Sequence, residues 1–251
     1  GKHGMTLVAS PGAGRYMELP LSHYPGRGWD LTPGYLAFTP ERRMLHPAGV
    51  PSDHTQFRQC FFCHATGVES TAADLDTGKM VLGVQCEHCH GPGEAHVRAA
   101  DLKQPLAGTI RSPGKESAVS LARLCGECHR TEPAPGIQPD SPLLVRFAPV
   151  GLMRSRCFRE SDGRLSCTSC HDPHTDVPLG TAEIERRCQS CHSEKTTLCP
   201  VNRVSGCVSC HMPKAEAVRN SFFTDHWIRV HPDQGTAAKP GAREPGLPFG
   251  H

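Results

Sequence analysis

The chain has 251 residues, of which 37% are apolar and 6% aromatic, enough for one or two ordinary domains but thin in core-forming side chains. Its formal charge is +2, with 27 Lys and Arg against 25 Asp and Glu, and no basic run favours a nucleic-acid partner. No stretch approaches the ~20 apolar residues that a membrane-spanning helix needs, so no transmembrane segment is expected.

Residues 1–59 contain no cysteine and are punctuated by Ser10-Pro11-Gly12, Tyr24-Pro25-Gly26 and Thr32-Pro33-Gly34, which read as an irregular arm. Tyr16, Tyr24, Trp29, Tyr35 and Phe38 give this arm apolar anchors. Thr39-Pro40-Glu41-Arg42 predicts a helix start, with a capping hydroxyl, proline in the first turn and then an acid.

From residue 60 a different signal takes over. Two cysteines separated by two residues, followed at once by histidine, form the attachment signature of a c-type haem. The pattern occurs at Cys60, Cys63 and His64, at Cys86, Cys89 and His90, and at Cys125, Cys128 and His129. It returns at Cys167, Cys170 and His171, at Cys188, Cys191 and His192, and at Cys207, Cys210 and His211. The sulfurs take up the porphyrin vinyl groups as thioethers, and the histidine supplies the proximal nitrogen to iron. Composition alone gives ~0.05 copies of such a motif, against six found. Zinc sites pair two CxxC units and need no histidine directly after each. Six covalently bound haem c groups and no structural zinc are therefore expected.

Between and after the motifs the elements are short. A helix is predicted from Glu94 to Leu102, after Gly91-Pro92-Gly93, and another from Glu116 to His129, which ends in its own motif. Residues 130–156 read as a proline-rich linker, and 157–231 carry the last three motifs at spacings of 21 and 19 residues. Thr181 to His192 predicts a helix capped by Thr181, with Glu183 and Glu185 in its first turns. Residues 232–251 hold four prolines and four glycines and read as an extended tail. Each haem is left about 42 residues to cover it, so the haems themselves become the main buried apolar bodies. The expected fold is mainly α and irregular: one haem-packed domain over 1–231, with short helices, long loops and little β. A ferric haem with both propionates ionised adds about −1, so six bring the chain to about −4, and full reduction to about −10.

Six of the sixteen histidines are proximal, which leaves ten for the opposite faces. His174 stands three residues beyond His171, too close to reach the far face of the same porphyrin, so any iron it binds belongs to a different haem. His96 follows a turn and a helix start and can serve a neighbouring haem. His226 and His231 lie in an aromatic stretch with Asp225 as a candidate orienting carboxylate. His3 and His54 complete the set of candidate distal ligands, while His88, inside a motif loop, is expected to face solvent.

The stretches from Gly83 to His96, Ser155 to Phe158, Cys167 to His174 and Cys207 to Lys214 resemble multihaem c-type cytochromes often fused to tetratricopeptide repeats. They are more distantly similar to the multihaem cytochromes of hydroxylamine oxidation. The resemblance covers most of residues 1–231 and implies that His3, His96, His174 and His226 stand on distal-ligand positions. It also implies electron transfer with other redox proteins or cytochromes, without naming a donor or acceptor.

Haem attachment to this motif takes place outside the cytoplasmic membrane, so a periplasmic or extracellular location is expected. The chain begins at Gly1 without methionine and reads as processed or truncated. Cys157 and Cys199 are the only cysteines outside the motifs. In an oxidising compartment they are expected to form a disulfide, closing a loop for ~3–4 kcal/mol of stabilisation. Ten spare histidines for six irons favour closed, low-spin haems and hence an electron conduit, with a subunit of an extracellular homopolymeric filament as one form of it. The alternative is an enzyme that transforms a small nitrogen or sulfur compound at one five-coordinate haem.

Overall fold

A computed structural model describes residues 4–36, 38–69, 74–133, 136–138, 141–175, 179–192, 199, 205–218 and 221–231. His3 and the tail 232–251 lie outside the described residues. The polypeptide divides into two compact units, parted between Ser112 and Pro113. Among the described residues about 41% are helical and 19% lie in strands.

In the first unit the expected irregular arm is a sheet. Strands β1 (Met5–Gly12), β2 (Arg15–Tyr24), β3 (Gly28–Leu31) and β4 (Val50–Asp53) pair antiparallel. β2 is central: β1 takes one edge, while β4 and β3 share the other at residues 15–18 and 21–24. The three turn signals are real, but two of them close hairpins. Gly26 follows Pro25 at φ +76 in the β2–β3 turn, where Arg27 N donates to Tyr24 O at 3.0 Å, a type II pattern. The third starts the one-turn helix α1 (Pro33–Leu36).

On β2 every second residue faces inward, and Tyr16, Ser22 and Tyr24 are buried. Ser22 and Thr32 are buried polar residues that satisfy each other: their hydroxyls lie 2.8 Å apart, and Thr32 Oγ1 donates to Leu19 O at 2.8 Å. The helix start at Thr39 is realised as α2 (Pro40–Leu45), with the Thr39 hydroxyl accepting from Arg42 N. Gly49, at φ +137, lets β4 begin against β2, because a Cβ there would collide with the Glu18 carbonyl.

α3 (His54–His64) opens on a reciprocal cap: Asp53 Oδ1 accepts from Gln56 N at 2.8 Å, and Gln56 Oε1 accepts from Asp53 N at 3.2 Å. Phe57 anchors it against Tyr16, whose ring is stacked at 5.1 Å, and Leu75. The short strands β5 (Ala65–Thr66) and β6 (Val81–Leu82) then pair, and α4 (Cys86–His90) and α5 (Glu94–Asp101) follow. α5 matches the expected helix to within one residue.

The second unit begins with a 3-10 turn at Pro113–Lys115 and then α6 (Ala118–His129), capped by the Ser117 hydroxyl, which accepts from Ser120 N at 3.1 Å. Residues 130–156, read as a linker, supply much of this unit's core. A 3-10 turn at Pro142–Arg146 and α7 (Ala148–Arg154) bury Leu144, Phe147 and Val150 as one cluster, and Leu152 packs with Ala118 and Phe158 in another. α8 (Arg156–Arg159) carries Phe158. α9 (Thr181–Gln189) is shorter than expected: Gly180 takes the cap position, Thr181 is already helical, and the helix ends before its motif does. α10 (Cys207–His211) leads into the hairpin β7 (Lys214–Val218) and β8 (Ser221–Thr224). The buried clusters among the described residues are small, three residues each.

Candidate functional site

In the first unit, Cys60, Cys63 and His64 close the C-terminal end of α3. Gly83 N donates to His64 O at 2.8 Å, which draws the second motif, Cys86, Cys89 and His90 on α4, beside the first. Phe62 of the first motif and His88 of the second approach with ring centres 5.4 Å apart. Burial, with Glu18 nearby, pushes the Cys60 thiol above its usual range. An open cavity of about 830 Å³ lies beside Cys86, lined by His96, Val97, Leu102 and Ile110 among others. Its size and apolar lining suit a cofactor-sized ligand, and Val97 and Leu102 are otherwise left 57% and 60% exposed.

The second unit holds four motifs. Cys125, Cys128 and His129 end α6; Cys167 opens a 3-10 turn and Cys170 follows it, with His171 next; Cys188 lies on α9; Cys207, Cys210 and His211 lie on α10. Cys191 and His192 follow the end of α9. The thiols of Cys125 and Cys167 hydrogen-bond to each other, and that pair draws Cys125 down to about 7 while Cys167 is pushed up. Burial, with Cys207, Cys170 and Cys157 close by, pushes Cys188 up to about 11. The attachment sulfurs of the third to sixth motifs are thus neighbours in chain order.

Several imidazoles are held by their Nδ1. His90 Nδ1 meets Arg111 O at 2.8 Å, His211 Nδ1 meets Arg229 O at 3.0 Å, and His226 Nδ1 meets Thr224 O at 2.9 Å. A carbonyl can only accept, so each Nδ1 carries a proton, which in a neutral ring leaves the lone pair on Nε2. His96 reaches the same state through Thr109: that hydroxyl spends its proton on Leu106 O at 2.7 Å, so at 3.0 Å it accepts from His96 Nδ1. His231 bonds through its ring to the backbone of His211. Its Nε2 is buried without a hydrogen-bond partner, 3.7 Å from Asp225 Oδ2. Burial and the Arg229 charge keep this ring below the usual histidine pKa, hence neutral. Neutral imidazole with a bare Nε2 and an anchored Nδ1 is the form that binds haem iron, so the residues present fit the group.

Other candidates stand apart. His174 is 75% exposed, in a turn where Asp172 Oδ1 accepts from its backbone N at 2.9 Å. His54 opens α3, ten residues before His64 at the other end. Among the described residues no disulfide is formed, and the two cysteines expected to pair, Cys157 and Cys199, stand as separate thiols. Cys188 lies near both Cys157 and Cys207, and Cys207 lies near Cys199. Sequence reasoning missed the anchors of the imidazoles. Backbone carbonyls leave no residue signature, and Thr109 offered only a hydroxyl thirteen residues after His96. Asp225, the candidate orienting carboxylate, lies 3.7 Å from His231 Nε2 and also accepts from Trp227 N at 2.8 Å and Arg229 Nη1 at 2.9 Å.

No helix among the described residues is long and apolar enough to cross a membrane. The family described as cytochrome c554 and c-prime matches residues 37–91, which contain the first two motifs. The multiheme cytochrome MtrA of Shewanella baltica (strain OS185) is 24% identical over 211 residues, covering 66% of this chain and 61% of that protein. The dissimilatory sulfite reductase MccA of Wolinella succinogenes is 22% identical over 196 residues, covering 60% of this chain and 25% of that protein. The chain thus spans about three fifths of one relative and a quarter of the other. No solved structure matches the chain. The repeated CxxCH motifs and the anchored imidazoles accord with these similarities to multihaem c-type cytochromes.

Proposed function

We propose that this chain carries six covalent haems, attached at the twelve motif cysteines, and passes single electrons along them. The observation that supports this reading is the order of the attachment sulfurs, Cys125 beside Cys167 and Cys188 beside both Cys170 and Cys207. Porphyrins tethered at neighbouring sulfurs are themselves neighbours, and close haems exchange electrons. His64, His90, His129, His171, His192 and His211 are the proximal ligands. His96, His174 and His226, with His3, His54 and His231, supply distal ones. Two strong imidazoles close both faces of an iron, so neither redox state gains or loses a ligand.

The location consistent with covalent haem is periplasmic or extracellular, and the partners are other redox proteins or further copies of this chain in a filament. Resemblance to cytochromes fused to tetratricopeptide repeats and to those of hydroxylamine oxidation fits the same reading. The second reading, a reductase with one five-coordinate iron, draws on the similarity to a sulfite reductase. Intact mass and EPR of the oxidised protein test both. The expected result is a mass gain of six haems and low-spin signals alone. A high-spin iron that binds and turns over nitrite, hydroxylamine or sulfite would favour the reductase.

A further inference from the structure

Resting on that haem reading, we propose that His171 and His226 are the two axial ligands of one iron, in the haem carried by Cys167 and Cys170, and that α7 positions His226 for this role. The two rings lie 6.1 Å apart between centres, with planes inclined by 31°. Two imidazoles on one metal, each with a nitrogen about 2 Å from it, have ring centres about 6 Å apart. The observed spacing leaves room for a metal between the rings. His226 is already in the correct tautomer, its Nδ1 proton given to Thr224 O.

The backbone around His226 is clamped by α7 and the residue after it. A Cβ on Gly151 would stand 2.6 Å from Trp227 N and 2.8 Å from the His226 carbonyl carbon, so only glycine permits this approach. Ser155, fully buried, donates to His226 O at 3.1 Å and accepts from Ile228 N at 2.8 Å. One helix end thus sets the height and tilt of the segment that carries the ligand. Gly151 and Ser155 are positioning residues, since neither touches the iron. The nearest competitor for His226 is the haem of the third motif, because His129 also lies within electrostatic reach.

The test uses the full, haem-loaded chain. His226→Ala should convert one low-spin iron to high-spin without changing the haem count by mass, and added imidazole should restore the low-spin signal. Replacing Cys167 and Cys170 by Ser should remove one haem. In that background His226→Ala should expose no further high-spin iron, since its iron is gone. A new high-spin signal there would overturn the pairing and assign His226 to another haem. A second route leaves every cysteine in place: in His226→Met the shifted methionine methyl should show NMR contacts to the porphyrin at Cys167 and Cys170. Contacts to the porphyrin at Cys125 and Cys128 would overturn the pairing equally. Gly151→Ala, with six haems still attached, should yield the same imidazole-reversible high-spin fraction. A wild-type spectrum from it would remove α7 from the account. A wrong haem count would instead sink the broader reading, so the two failures are distinguishable.

Discussion

A histidine offers two nitrogens, and in this chain the choice between them is made by atoms that can only accept. The carbonyls of Arg111, Arg229 and Thr224 take the Nδ1 protons of His90, His211 and His226, and Thr109 does the same for His96 after spending its own proton on Leu106. Each anchor makes the opposite nitrogen a better donor to iron and fixes the ring's rotation. Thr109→Val keeps the shape but removes the acceptor. If His96 binds iron as proposed, the potential of one haem should rise by on the order of tens of millivolts as its ligand becomes less basic. Redox titration of the purified variant checks this, and the haems that His96 does not serve act as the internal reference.

At the scale of elements, α3 joins the sheet to the first attachment motif. Its start is fixed by the reciprocal Asp53–Gln56 cap and its flank by Tyr16 stacked on Phe57. Asp53→Ala should cost about 1 kcal/mol of stability, read as a lower urea midpoint with unchanged slope. The six motifs, α2 and α5 were legible in the sequence because each has a local signature: fixed cysteine spacing, a capping hydroxyl before proline, a Gly-Pro-Gly stop. The sheet was not. Its central strand alternates correctly, but the inward positions include Ser22 and Glu18 alongside Tyr16 and Tyr24, so hydrophobicity shows no period of two. The core role of residues 141–154 was hidden for a related reason. Their prolines suggested a linker, yet Pro142 and Pro149 sit in first helical turns, where proline fits.

At the scale of the molecule, charge and redox state are linked. The polypeptide is slightly basic, but the six proposed haems would take it to about −4, and each electron would add one more negative charge. Reduction of an already negative body is opposed by its own field, which salt screens: the Debye length falls from about 30 Å at 0.01 M to about 8 Å at 0.15 M. Midpoint potentials should therefore rise with ionic strength across that range in a spectroelectrochemical titration. Potentials that stay fixed or fall would mean that the haem-loaded body is not anionic.

The hydrogen bond between Cys125 and Cys167 also has a consequence before any haem arrives. Two thiols that touch, one of them drawn down to about 7, are well placed for oxidation to a cystine bridge. Such a bridge would block two attachment motifs at a stroke, because each needs both of its sulfurs free. If haems attach at these motifs as proposed, porphyrin delivery would have to precede oxidation of the pair. The closeness proposed to serve electron exchange in the haem-loaded protein would make the haem-free chain depend on a reductant.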